Sequence, residues 1–138
     1  MLTREQAVFA ESCRTGHLAT ADRAGRPHVV PVCFAYVTGD FWIAVDEKPK
    51  RTQRLKRLRN IAANPHVSLV FDRYDQDWAR LAYVLVLGKA QVTERGDAHP
   101  EVLAALRRRY PQYEAMALEE RPVIRVTPEK AIAWGDVR

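Results

Sequence analysis

VDEKPKRTQRLKRLRNIAANPHVSLVFD, residues 45–72, decides how the rest of the chain is read. Seven of the twelve residues from Lys48 to Arg59 are basic: Lys48, Lys50, Arg51, Arg54, Lys56, Arg57 and Arg59. Leu55, Leu58, Ile61 and Ala62 run through the same stretch at helical spacing, which predicts an amphipathic helix rather than a disordered tail. Asn64-Pro65 ends it, because the residue before a proline is pushed out of the α region. The apolar run Val67 to Phe71 follows at once as a strand. A strand, a cationic helix and a second strand make a compact place for an anion, a phosphate above all.

Working outward, the N-terminal side reads as a capped helix followed by turn-linked strands. Thr3 with Gln6 three residues on is a capping-box pattern, and an amphipathic helix is expected over about residues 3–14. HLATAD (17–22) is a first strand. Ala24-Gly25-Arg26-Pro27 is turn chemistry, since Gly accepts positive φ and Pro fixes its own. HVVPVCFAYV (28–37) reads as one long strand in which Pro31 marks an edge or a bulge, having no N–H for a ladder. Thr38-Gly39-Asp40 is a tight hairpin into FWIAVD (41–46).

On the C-terminal side, RYDQDWAR (73–80) is a polar loop with aromatics. LAYVLVLGKAQVTE (81–94) is a long strand with a bulge or corner at Gly88. Residues 98–118 read as a helix or helix pair interrupted by Pro111. PVIRVTPEKAIAWG (122–135) reads as two short strands around Thr127-Pro128. Six or seven strands with few long connections predict a mainly β fold, a small closed or split β-barrel with flanking helices, in one domain spanning residues 1–138.

Composition sets the bounds. The 138 residues are 47% hydrophobic, enough for one core, and 28% charged, with three tryptophans and a net charge of +5. The basic excess suits a polyanionic ligand. Cys13 and Cys33 show no metal-type spacing and read as free buried thiols in a reducing compartment. Charges come too early in MLTREQAVFA for a signal peptide, and no apolar run approaches the roughly 20 residues of a membrane span. A soluble, cytoplasmic protein with no membrane partner is the expectation.

Conventional catalytic patterns are missing. His17, His28 and His66 each begin a strand and His99 precedes Pro100, so they read as surface or strand-end imidazoles, and no metal site is expected. Asp72, Asp75 and Asp77 stand beside Arg73 and Arg80 without the glycine and glutamate of a calcium loop. The basic stretch has three readings. It is a solvated face paired with the acidic loop, a phosphate or carboxylate site where charge-assisted bonds gain most, or a nucleic-acid surface. The last would need aromatics interleaved among the cations, and the stretch has none, so no nucleic-acid partner is expected. Trp42 and Trp134 read as core. Trp78, in a polar loop, reads as an aromatic placed over a ring system.

Taken together, GHLATADRAGRPHVVPVCFAY (16–36), FWIAVD and LKRLRNIAANPHVSLVF (55–71) resemble the pyridoxamine 5′-phosphate oxidase-like split β-barrel superfamily. Lys56-Arg57 stands in the place of that superfamily's phosphate-holding basic pair, with Leu55 where a serine often precedes it. Lys48-Pro49-Lys50-Arg51-Thr52, Asp77-Trp78 and Gly88-Lys89-Ala90 look like the branch described as probable F420-dependent enzymes. The resemblance implies a homodimer with cofactor sites at the subunit interface. It also implies redox chemistry supplied by coenzyme F420, with FMN as the alternative, and a hydride passed to or from a small unsaturated substrate. Lys48, Lys50, Arg51, Lys56 and Arg57 would meet the cofactor's negative charges. The strands at Val30, Pro31 and Val32 and at Ala44, Val45 and Asp46 would face its ring, with Trp78 near it. A non-catalytic flavin- or deazaflavin-binding protein is the rival reading.

Overall fold

The computed structural model describes residues 2–46 and 55–138. Helix α1 (Arg4–Ser12) starts at the expected capping box: the Gln6 N–H donates to Thr3 Oγ1 at 3.1 Å, and the Thr3 N–H donates to Gln6 Oε1 at 2.9 Å. Strands β1 (Gly16–Ala21) and β2 (Pro27–Val32) follow, joined by a turn in which Gly25 takes φ 82°. The long strand expected over 28–37 is broken. After Cys33-Phe34 the chain restarts as β3 (Ala35–Val37), and a two-residue hairpin with Thr38 and Gly39 both at positive φ leads to β4 (Asp40–Ala44).

Helix α2 (Lys56–Ala63) covers the second half of the expected cationic helix, while Lys48, Lys50, Arg51 and Arg54 lie outside the described residues. Its buried face differs from the simple apolar pattern. Leu58 and Ile61 are buried as expected, but Arg57 and Asn60 join them and Ala62 is exposed. Asn60 finds a polar partner inside, donating from Nδ2 to Thr20 Oγ1 at 3.0 Å, which removes the cost of burying an amide. Strands β5 (His66–Arg73) and β6 (Ala82–Thr93), helix α3 (Pro100–Arg109) and strand β7 (Val123–Gly135) complete the chain.

All seven strands form one antiparallel sheet in the order β2-β1-β5-β6-β7-β4-β3. In a flat sheet the outer strands β2 and β3 would stand roughly 29 Å apart, at about 4.8 Å per strand. Only Cys33 and Phe34 separate them in sequence, and three Cα steps span at most about 11 Å. The sheet must therefore curl until its edges meet. That is the split β-barrel expected from the sequence, and the reason the 28–37 strand has to break.

Inside the curl, Phe34, Phe41 and Phe71 pack with Leu18, Ile43, Leu69, Val84 and Val86, while Phe9 of α1 and Leu58 and Ile61 of α2 complete the same core. A second core lies outside β4, where Trp42 and Ala44 meet Leu103 and Leu106 of α3 and Tyr110 and Tyr113 beyond it. Both faces of β4 are thus buried, which explains its unbroken apolar run.

The C-terminal reading needs two corrections. Residues 123–135 are one strand, not two, and Trp134 is 52% exposed, stacked on Tyr83 at 5.8 Å rather than buried. The strand survives Pro128 because the β6–β7 register shifts between Leu87 and Gly88, leaving Glu129 as the extra residue. Gly88 is indispensable there: a Cβ would sit 2.3 Å from the Thr127 carbonyl oxygen. Gly88→Ala is therefore expected to cost about 1–3 kcal/mol, as overpacking against backbone does. Urea unfolding checks this, and a midpoint unchanged from the parent chain would refute the close approach.

Helices α1, α2 and α3 pack on the two cores and leave the outer side of β1, β5, β6 and the second half of β7 bare among the described residues. One row of paired residues on that side runs Pro31, His17, Val70, Leu85, Ile132, and the next runs Val29, Ala19, Ser68, Leu87, Lys130. Val29, Leu87, Ile132 and Trp134 are all exposed on it, an apolar surface larger than isolated side chains explain.

Candidate functional site

At the end of β2 the chain turns toward β3, and there a cleft of about 230 Å³ opens. Thr15, Pro31, Val32, Cys33, Ala44, Asp46 and Arg57 line it. Pro31 sits on the edge strand opposite His17, where its missing N–H leaves no ladder bond unmade. Asp46 lies two residues past β4 and is held at two points. The Tyr113 hydroxyl donates to Asp46 Oδ2 at 2.8 Å, and Arg121 Nη1 donates to the Asp46 carbonyl at 2.8 Å. Burial first, and then the Asp46 carboxylate, push the Tyr113 phenol far above its usual pKa, so it stays a donor.

Arg57 enters from the first turn of α2 and is buried, an uncommon place for a guanidinium. Leu55 at the N-cap has no side-chain bond to the helix, and two cations, Lys56 and Arg57, follow it. The helix dipole disfavours positive charge at that end and favours an anion. Lys56 reaches Asp22 at 3.7 Å. Backbone and side-chain bonds from Arg26 hold that Asp22 carboxyl down at about 2.

The structure brings Pro31, Val32, Asp46 and Arg57 together. Val30 and Val45 pack in the core beside the cleft rather than lining it. Lys56 points to Asp22, and Lys50 and Arg51 lie outside the described residues. Trp78 stands on the turn between β5 and β6, 71% exposed and away from the cleft of its own chain. The acidic loop satisfies itself: Asp75 pairs with Arg80 at 3.1 Å, and Arg73 donates to the Arg80 and Asp136 carbonyls.

Ala44, expected at the ring, lines the cleft as well, while Thr15, Cys33, Tyr113 and Arg121 escaped the sequence reading. Cys33 follows Pro31-Val32 and was within reach of it. Tyr113 arrives from 67 residues beyond Asp46, and no local pattern announces that. Both cysteines are free and half-buried. Larger clefts exist elsewhere, one of about 640 Å³ between α1, β3 and α3, but none gathers the predicted residues. Among the described residues no three His, Cys, Asp or Glu side chains gather as a metal requires, and no helix is long and apolar enough to cross a membrane.

A curled seven-stranded sheet whose two edges meet, with a cleft and a buried cation beside that seam, is a split barrel in architecture. The sequence pattern of the family described as pyridoxamine 5′-phosphate oxidase matches residues 2–135, and the chain belongs to that family. Among solved structures, a conserved hypothetical protein of Mycobacterium tuberculosis is 25% identical. That match covers 98% of this chain and 85% of the other, with a TM-score of 0.78. The heme storage protein HutZ of Vibrio cholerae is similar at 19% identity, over 93% of this chain and 89% of its own, with a TM-score of 0.74. A FAD-binding protein of Mesorhizobium loti is similar at 22%, over 96% and 94%, with a TM-score of 0.72. The last two likenesses carry the fold alone. No curated protein matches the sequence.

Proposed function

We propose that the chain is a homodimeric, cytoplasmic oxidoreductase that binds a phosphorylated flavin-type cofactor in the cleft at Arg57 and Asp46, coenzyme F420 in preference to FMN, and acts on a small unsaturated substrate. The observation that carries this is the buried Arg57 at the uncapped start of α2, facing a cleft walled by Val32 and Ala44. A bound deazaflavin or flavin supplies the hydride chemistry. The chain's own residues bind and orient: Arg57 takes the anionic end, Val32 and Ala44 give an apolar wall, and Asp46 supplies a fixed acceptor. F420 is preferred because the basic stretch from Lys48 to Arg51 would meet its phosphate and glutamate charges.

The cleft's size argues for the dimer. At about 230 Å³ it is smaller than the roughly 300–1,000 Å³ usual for ligand sites, and a second copy would enlarge it. Pro31 belongs both to the cleft and to the bare apolar face, so a copy seated on that face would reach the site.

Titration of the purified protein with F420 and with FMN, followed by tryptophan fluorescence, tests the reading. Saturable F420 binding with weaker FMN binding is expected. Tight binding of FMN alone would move the protein to the flavin reading, and binding of neither would remove the cofactor. Turnover with reduced cofactor then separates an enzyme from a carrier. Lys56→Ala together with Arg57→Ala is expected to weaken cofactor binding by about tenfold to several hundredfold, the worth of one or two charged hydrogen bonds. Unchanged affinity in a variant with parental circular dichroism would withdraw the phosphate assignment.

A further inference from the structure

Asp46 is held at two points, and among the described residues only one of its two carboxylate oxygens is engaged. Its Oδ2 accepts from the Tyr113 hydroxyl and its carbonyl accepts from Arg121. Its Oδ1 accepts no hydrogen bond, and the carboxylate has no ion pair, among the described residues. A staple tying β4 to the 111–115 turn needs Oδ2 alone. The other oxygen is left on a residue that lines the cleft.

The charges divide the cleft. Arg57 and Asp46 line it together, so a phosphate or carboxylate is drawn to the first and repelled by the second. What a single open carboxylate oxygen recognises is a single N–H; a two-pronged donor would need both oxygens. Flavins and deazaflavins share such a group, the imide N–H of the pyrimidinedione ring, at the end of the molecule away from reactive substrate contacts.

Resting on the cofactor reading above, we infer that Asp46 is the residue that reads the imide N–H of the bound ring, with Tyr113 and Arg121 as positioning residues. Arg57 and Asp46 then set the orientation of the cofactor, anion at one and ring edge at the other. Tyr113 keeps Oδ2 occupied and so presents Oδ1 to the cleft. Without the phenol the carboxylate can turn and satisfy itself elsewhere.

The test compares F420 with its N3-methyl derivative, and FMN with N3-methyl-FMN, in which a methyl group replaces the donor hydrogen; the Asp46 variants separate loss of the donor from the added bulk. The wild-type chain is expected to bind the parent at least about tenfold tighter than the methylated form, the worth of one hydrogen bond to a charged group. In Asp46→Ala the two forms should bind alike, at the level of the methylated ligand. Should that variant fold poorly, Asp46→Asn decides, since its neutral amide should shrink the ratio severalfold. Tyr113→Phe should shrink the ratio too, a change that mere loosening of the 111–115 turn would not produce. A wild-type ratio near one, or a ratio that survives in the Asp46 variants, overturns the inference and leaves the cofactor reading standing. Binding of no form by the wild-type chain overturns both.

Discussion

Phe71→Ala is expected to destabilise the fold by about 3–5 kcal/mol, the range for removing a large aromatic from a packed core. The expected size follows from where the ring sits. Phe71 is fully buried, 4.7 Å from Phe34 and 5.0 Å from Phe41 between ring centroids. It also closes over Gly16, where a Cβ would lie 2.7 Å from its edge. One side chain from β5 therefore joins β1, β4 and the Cys33-Phe34 crossover, the point at which the two edges of the sheet meet. Collapse around the vacancy is hindered because all three neighbours are strand or crossover residues with little freedom to move. Against a total stability of about 5–15 kcal/mol this is a large share. Urea unfolding by circular dichroism measures it. A loss below about 1 kcal/mol would mean the seam is held elsewhere, because so small a cost is typical of a site that refills.

What the sequence shows of this fold is what local chemistry dictates. Thr3 and Gln6 cap α1 as their spacing requires, Pro31 lies on an edge strand, and Gly88 lies at a bulge. What it hides are consequences of the sheet's closure. Cys33 and Phe34 are good strand residues, and only the need to cross from one edge of the sheet to the other breaks the strand there. Pro128 stays within a strand because Gly88, on the neighbouring strand, has no side chain to collide with it. Trp134 reads as core by alternation, yet it lies exposed, on a side of β7 that none of the described helices covers. The candidate site divides the same way. Arg57 is named in the sequence as half of the Lys56-Arg57 basic pair, and Pro31, Val32 and Asp46 through their strands, but the burial of Arg57 is visible only in the structure. Tyr113, which fixes Asp46, comes from a turn after α3 and is visible only in three dimensions.

On the dimer proposed above, Ile132→Glu is expected to leave a monomer and to take cofactor binding with it. In the single chain Ile132 is 36% exposed and shares its row with Leu85, Val70, His17 and Pro31. A glutamate there meets water, so the protomer's own stability should stay within about 0.5 kcal/mol of the parent. In a two-fold interface built on this face the substitution counts twice. Each buried carboxylate lacks a partner, and at roughly 1–3 kcal/mol apiece the dimer weakens by tens to tens of thousands of times. Light scattering across a concentration series reads the first effect. The second follows from Pro31, which lies at the cleft and on the face at once: without the second copy the site keeps Arg57 and Asp46 but loses its far wall. Cofactor affinity should therefore fall with the dimer and recover at protein concentrations that restore it. A wild-type chain that is monomeric would sink the shared site. A variant that stays dimeric would place the interface on another face. A monomeric variant that binds cofactor at the parental affinity would make the cleft complete within one chain, and Arg57 and Asp46 sufficient for it.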